Sequence, residues 1–379
     1  MATPAVEAEV AAVEQLHQAA QARLGIAAAY LALAQWQNLS ALNPQAGAAA
    51  WVVVSLRIIV AVRKLSRQLA INYVQLVRGL ETGSTLGAPA NSTGDVTLGT
   101  LRKNFRDLTI DIADIPSPTF ESDDADIRWF EEQLRSTDLP KAKTPGRLIR
   151  LDDAEVDPLI QDFLDAEGSD NAGPVSVDEF EWPDDMDELD AADAFEDLLK
   201  NQIKDAADKV KDLRSNDELT PDQVLTQIEK NHQSAGSLGS GIVDAAGMQG
   251  GRETIDRVIR GDRKVKMIAR GTSGDPCAFC AMLASRGFVY TGATSGVGGE
   301  ITVSQDIREY HKNCHCFPIV KYTTTSQLPE LNRYFQEQWP DVTAGNSGLD
   351  ALNAWRRWIY AKRKINPDAP HGARNNKPT

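Results

Sequence analysis

Two segments, Asp275-Pro276-Cys277-Ala278-Phe279-Cys280 and Tyr310-His311-Lys312-Asn313-Cys314-His315-Cys316-Phe317-Pro318, hold all four cysteines of this 379-residue chain. Four thiols and two imidazoles fall in two tight clusters, and the loop between them must fold back to bring them together. That is the outline of a metal site. A structural Zn2+ takes four Cys or His ligands tetrahedrally, and a Cys-x-x-Cys pair presents two sulfurs to one ion from a single turn. Cys277 and Cys280 meet that spacing. The second pair comes from His311, Cys314, His315 and Cys316, and the choice is open: His311 and Cys314 repeat the offset, whereas Cys314 and Cys316 give an all-sulfur site. We expect Cys277, Cys280 and Cys314 as ligands of a structural zinc, with His311 or Cys316 as the fourth.

Three other chemistries compete. A Cys-x-x-Cys at a helix start can be a redox pair, because the helix N-terminus lowers a thiol pKa, but that leaves the second cluster unexplained. A Cys nucleophile with His311 or His315 as base needs fewer cysteines than are present. Reduced thiols can also pack as small hydrophobes without metal. The Gly-bearing loop from Thr291 to Glu300 lacks the dinucleotide fingerprint and reads as a flexible excursion.

Working outward, Lys264 to Arg270 reads as a basic strand entering the first cluster, and Val320 to Tyr322 as a strand leaving the second. Residues 261–325 thus form a small α+β module. After it, Leu331, Tyr334, Phe335 and Trp339 make one helical stripe and Leu349, Leu352, Trp355 and Ile359 another, so 326–379 reads as C-terminal helices and a polar, frayed tail. Arg356, Arg357, Lys362, Arg363 and Lys364 cluster near the last helix end. The helix dipole favours cations there; a weak contact with packaged DNA is the competing reading, since such patches bind phosphate non-specifically.

Upstream, residues 186–260 read as a helical middle region. Met186, Leu189, Phe195, Leu199, Ile203, Ala206, Val210 and Leu213 alternate by threes and fours, as in a helix coiled against another helix or a second copy. Thr220-Pro221-Asp222-Gln223 supplies a cap, a proline at N1 and a Gln at N3 for the next helix. Gly236, Gly239, Gly241, Gly247, Gly250 and Gly251 then read as turns, followed by a short helix at Ile255, Val258 and Ile259.

The N-terminal 1–82 reads as a helical hairpin. Its first stripe runs from Val6 to Leu31 and its second from Ala48 to Leu80, with Arg57, Lys64, Arg67 and Arg78 interleaved and Gly79 and Gly83 at the end. Residues 83–185 read as a linker followed by an acidic, partly disordered segment, in which Val96 to Ile115 is ambiguous between helix and strands. From Leu151 to Lys200 there are 19 Asp or Glu against one Lys, more than the chain's whole net charge of −14. Self-repulsion opposes compaction there, and the rest of the chain is slightly basic. The global balance argues against a general nucleic-acid or membrane-surface binder. The most apolar run, Ala48 to Val62, contains Arg57 and is shorter than the roughly 20 residues that span a bilayer. No secretory signal is visible at Met1, so a chain made in a reducing cytoplasm, with metal-binding rather than disulfide-bonded thiols, is expected.

At the cysteines a resemblance becomes specific. Ala269-Arg270, then Pro276-Cys277-Ala278-Phe279-Cys280-Ala281-Met282-Leu283-Ala284-Ser285-Arg286-Gly287, then Tyr310-His311-x-x-Cys314-x-Cys316 resembles the minor capsid proteins of tailed phages of actinobacteria. These are similar to the wider Mu F-like head morphogenesis family. Ala70-Ile71-Asn72-Tyr73-x-x-x-x-Arg78 fits the same group more loosely. The family's ending carries Arg between the last two cysteines, where this chain has His315. The resemblance implies a low-copy virion protein at the portal or inner face of the procapsid, needed for head assembly or DNA packaging.

The expectation is therefore a mainly α protein with a small α+β C-terminal module closed by a zinc site. It would bind phage portal or major capsid subunits, self-associate through 186–213, stay off membranes and carry no catalytic constellation. Its place would be the host cytoplasm during assembly and the virion afterwards. The alternatives are a Cys-dependent enzyme delivered with the virion (hydrolase, transferase or nuclease) and a cytosolic CxxC redox module.

Overall fold

A computed structural model describes residues 3–87, 95–115, 122–137, 163, 174–183, 190–272, 276–288, 310 and 314–365. Three long helices form its frame. Helix α1, Pro4–Gln37, starts at Thr3, whose hydroxyl accepts the Val6 N–H, with Pro4 in the first turn, where its missing N–H costs nothing. Helix α2, Ala48–Thr82, ends at Gly83, whose positive φ of 70° lets its N–H bond the Gly79 carbonyl at 2.9 Å. After α3, Leu98–Ala113, α4, Ala125–Ser136, and α5, Glu196–Arg214, comes α6, Pro221–Gly261, a single helix of 41 residues. It opens with the expected capping box: the Thr220 side chain accepts the Gln223 N–H, and the Gln223 side chain accepts the Thr220 N–H at 2.9 Å.

Helix α6 runs straight through the glycines expected to be turns, and Ile255, Val258 and Ile259 are buried in its last turns. The reason is close packing. A Cβ added at Gly236 would stand 2.4 Å from Trp36, at Gly239 2.9 Å from Trp51, at Gly247 2.6 Å from Val62 and at Gly250 2.5 Å from the Arg63 carbonyl oxygen. The glycines forgo helix propensity, about 1 kcal/mol each, so that α1 and α2 can pack against bare backbone. Periodicity cannot see this, because the partner surface lies some 200 residues away in sequence.

The ambiguous 96–115 segment is helical in α3, capped by Thr97. In the acidic region, where partial disorder was expected, α4 forms because it has a partner. The Lys64 ammonium bonds Asp124 at 2.7 Å and Asp126 at 3.2 Å, and the Arg57 guanidinium stacks 4.4 Å over Trp129. Arg67 donates to the Pro183 carbonyl, and Arg78, 1% exposed, bonds Asp262 and Asp178. The four cations interleaved along α2 thus tie down distant segments of this chain. Likewise the Leu199, Ile203, Ala206 and Val210 stripe of α5, expected to meet another helix or a second copy, is buried in the same chain, where α5 packs on α6.

Short strands β1, Ser84–Leu86, and β2, Ser176–Asp178, pair in parallel. Strands β3, Met267–Gly271, and β4, Phe317–Lys321, pair antiparallel with Ala269 opposite Ile319. This second sheet is the core of the C-terminal module, completed by α7, Ala278–Ser285, α8, Glu330–Val342, and α9, Gly348–Ile365. Trp355, fully buried, bonds the Ala278 carbonyl at 3.0 Å, and Asn332 bridges the Arg270 and Ala284 carbonyls at 2.8 and 3.1 Å. The architecture is mainly α with this small α+β unit, as expected.

The unit is docked on the long helices. His17 of α1 stacks on Tyr73 of α2 with centroids 4.2 Å apart and meets Phe317 of β4 edge-on at 5.3 Å. Beside them, Lys321 places its ammonium 2.6 Å from Glu14, with both side chains at most 3% exposed. Burial pushes the Glu14 carboxyl up to about 7 against the pull of Lys321. Burial also pushes His17 down to about 3, so it is neutral in the core.

Candidate metal centre

Helix α7 holds the first thiol pair. Cys277 is its N-cap, with Sγ accepting the Cys280 N–H at 3.3 Å, and Cys280 follows one turn later. The second pair lies on the chain running into β4. The sheet brings these segments together because β3 leads to α7 while the antiparallel β4 returns beside it. The Sγ atoms of Cys280, Cys314 and Cys316 lie within 4.8 Å of one another, with Cys280 and Cys314 3.2 Å apart, and all three cysteines are 1–2% exposed. A tetrahedral zinc with bonds of about 2.3 Å sets its sulfurs about 3.8 Å apart, so small side-chain rotations suffice to enclose an ion. Cys277, half-buried, packs against this triad. All four cysteines are free thiols.

His311 and the Thr291–Glu300 loop lie outside the described residues. His315 turns to α6, where its Nε2 lies 3.1 and 3.2 Å from the two carboxylate oxygens of the buried Asp244. Burial works against a charge on His315, but the Asp244 carboxylate outweighs it and raises the imidazole pKa.

The surroundings are cationic. Arg252 of α6, 2% exposed, donates to the carbonyls of Cys314 and Cys316, the latter at 3.1 Å. Arg270 of β3 is fully buried, and both guanidinium carbons lie over the Tyr310 ring, at 4.1 Å for Arg252 and 4.0 Å for Arg270. Burial disfavours a charge on Arg270, yet Tyr310 and the thiols of Cys316, Cys314 and Cys280 raise its pKa overall. Hydrogen bonds from Cys280 and Cys316, then the two guanidinia, lower the Cys314 pKa, while Cys280 and Cys316 are held high. A soft divalent ion would displace the thiol protons, because thiolates are the ligands.

Sequence reasoning missed Asp244 and Arg252. Their signal was available: two charges about two helical turns apart inside a run of small and apolar residues, where an exposed face is not expected. Asp244 is covered by α1, where Gly25 leaves no room for a side chain; a Cβ there would stand 2.2 Å from Asp244 Oδ1. At the C-terminus Arg356 and Arg357 are exposed and the Lys362 ammonium lies 5.5 Å over Trp358; the side chains of Arg363 and Lys364 are outside the described set.

Fold and site together define a helical protein whose C-terminal unit encloses a thiol cluster suited to a metal. The family model described as VG15 protein matches residues 164–341, which take in α5, α6, β3, the cysteines, β4 and α8. VG15 is a phage virion-gene family, and the match supports a phage, virion-associated protein. No curated protein and no solved structure matches the chain. No helix among the described residues is long and apolar enough to cross a membrane.

Proposed function

We propose that this chain is a minor capsid or head morphogenesis protein of the Mu F-like kind, acting in procapsid assembly or DNA packaging by binding portal or major capsid subunits. The cysteine cluster serves as a structural zinc clasp. The observation that carries the reading is the burial of the Cys280, Cys314 and Cys316 triad at 1–2% exposure inside the VG15-like region. Structural zinc sites are closed by protein ligands, whereas catalytic ones keep a position open to substrate. A sealed thiol cluster therefore favours a clasp over a Cys-dependent enzyme.

In this role the clasp joins α6, β3, α7 and β4 into one unit that presents α8 and α9 to a partner. Arg356, Arg357 and Lys362, exposed on α9, are suited to weak, salt-sensitive contact with packaged DNA. The protein resides in the virion, at the portal vertex or capsid interior. The test is to co-express the chain with its phage's portal and major capsid proteins and to measure zinc in the purified chain. Association with either subunit and one zinc per chain are expected. Absence of association with both subunits refutes the assembly role, and absence of stoichiometric metal in protein purified without chelator refutes the clasp.

A further inference from the structure

We infer that the outer face of α8 and α9 is a platform for single-stranded DNA, on which unpaired bases stack against Tyr334 and Trp358 while Arg357 and Lys362 hold the flanking phosphates. The inference rests on the DNA contact proposed above and names the form of DNA that this contact favours.

The charge is concentrated on one helix. From Ala351 to Ile365 the chain carries five Arg or Lys and no Asp or Glu, in a protein of net charge −14. The four acids of the two helices, Glu330, Glu337, Asp341 and Asp350, all precede that run. A helix dipole draws cations into the last turn only, and α9 ends at Ile365. Arg356 and Arg357 are exposed about two turns earlier, so the dipole does not account for them. A polyanion does.

Aromatic rings lie beside these cations. Tyr334, 37% exposed, and the partly exposed Trp358 have ring centroids 6.0 Å apart and planes 32° from parallel. Trp355, fully buried, stacks on Trp358 at 4.9 Å and meets Trp339 at 5.0 Å, and its Nε1–H is fixed to the Ala278 carbonyl of α7. The Trp358 ring is therefore set in place before any ligand arrives, as base stacking on a protein requires. The Lys362 ammonium lies 5.5 Å over that ring. Its flexible stem lets it swing to a phosphate as a base takes its place.

These two features together select the ligand. A closed duplex keeps its bases stacked inside and meets surface cations mainly through phosphates, which leaves the rings without a role. An anionic membrane takes up an exposed apolar stripe, whereas the stripe of α9, Ala351, Trp355 and Ile359, is buried. Unpaired DNA engages both the cations and the rings.

The test is fluorescence anisotropy of the full chain with labelled oligothymidylate, a DNA duplex of the same length and oligouridylate, beside vesicles of phosphatidylserine and phosphatidylcholine. Oligothymidylate is expected to bind more tightly than the duplex. Tyr334→Ala should weaken it by about 5–100-fold, the usual effect of losing one stacked base, with an unchanged melting temperature, and Tyr334→Phe should recover most of the loss. Arg357→Gln should lower the slope of log affinity against log salt by about 0.7, one phosphate contact on a single strand. Ultraviolet crosslinks to the bound oligothymidylate should map to Tyr334 or Trp358; adducts confined to other regions overturn the inference. Equal binding of single strand and duplex, indifferent to Tyr334→Ala, overturns the stacking platform and leaves the phosphate contact standing. Binding of neither at low salt sinks that contact as well. Tighter binding of oligouridylate, or capture by the vesicles without DNA binding, gives the face to another partner and refutes the inference.

Discussion

Replacing Gly250 by Ala sets local propensity against tertiary packing with opposite signs. In an isolated helix the change stabilises by about 1 kcal/mol, because glycine surrenders more backbone freedom on folding. Here the new methyl would stand 2.5 Å from the Arg63 carbonyl oxygen and 3.0 Å from its Cα and carbonyl carbon. A comfortable carbon–oxygen contact is about 3.3 Å, so α2 must retreat by roughly 0.8 Å or bend. The clashing atoms are main chain and cannot rotate away. The Arg63 side chain is anchored as well, to the Ala246 carbonyl at 3.3 Å and to Glu253 at 2.5 Å. Overpacking of this kind costs about 1–3 kcal/mol, here at the upper end. Subtracting the propensity gain leaves a net loss of roughly 2 kcal/mol, a fall in Tm of about 2–3 °C for a chain of this length. Thermal and urea unfolding of Gly250→Ala against wild type measure it. A variant as stable as wild type, or more so, refutes the close α2–α6 packing.

Three further outcomes are expected. His17 is held neutral in the core at about 3 against 6.5 in the unfolded chain, so below pH 6.5 the unfolded state takes up a proton that the folded state refuses. At pH 5 this costs the wild type about 2 kcal/mol, which His17→Gln avoids, so the stability gap between the two in urea should narrow by about that much from pH 7.5 to pH 5. Lys321→Met strands the buried Glu14 and should cost about 3–5 kcal/mol, with Glu14→Gln added to it restoring part of the loss in denaturant melts. Stripping metal with a chelator should lower the melting temperature of the wild type, while Cys280→Ser, already lacking the metal, should melt early and ignore the chelator.

The helices were largely legible. The stripe from Val6 to Leu31 became α1, that from Ala48 to Leu80 became α2, and Thr220-Pro221-Asp222-Gln223 began α6 as a capping box. These features are local: a cap or stripe is written within a few residues of the structure it makes. What escaped was non-local. The cations on α2 showed no pattern until their partners at Asp124, Asp126, Asp178 and Asp262 came into contact. The acidic region gave α4 because self-repulsion yields where a carboxylate meets Lys64.

By itself, the sequence determined the chemistry available to this protein: four thiols in two clusters, a mainly helical chain and a short strand on either side of the cysteines. Only the tertiary structure decided how those parts are used. It turned a glycine run into the interior of a 41-residue helix, because Trp36, Trp51, Val62 and the Arg63 backbone need that space. It also set Arg252 and Arg270 around the sulfurs and directed His315 to Asp244. Ligand spacing is a property of one segment, whereas the charge around a site is assembled from every element that packs on it.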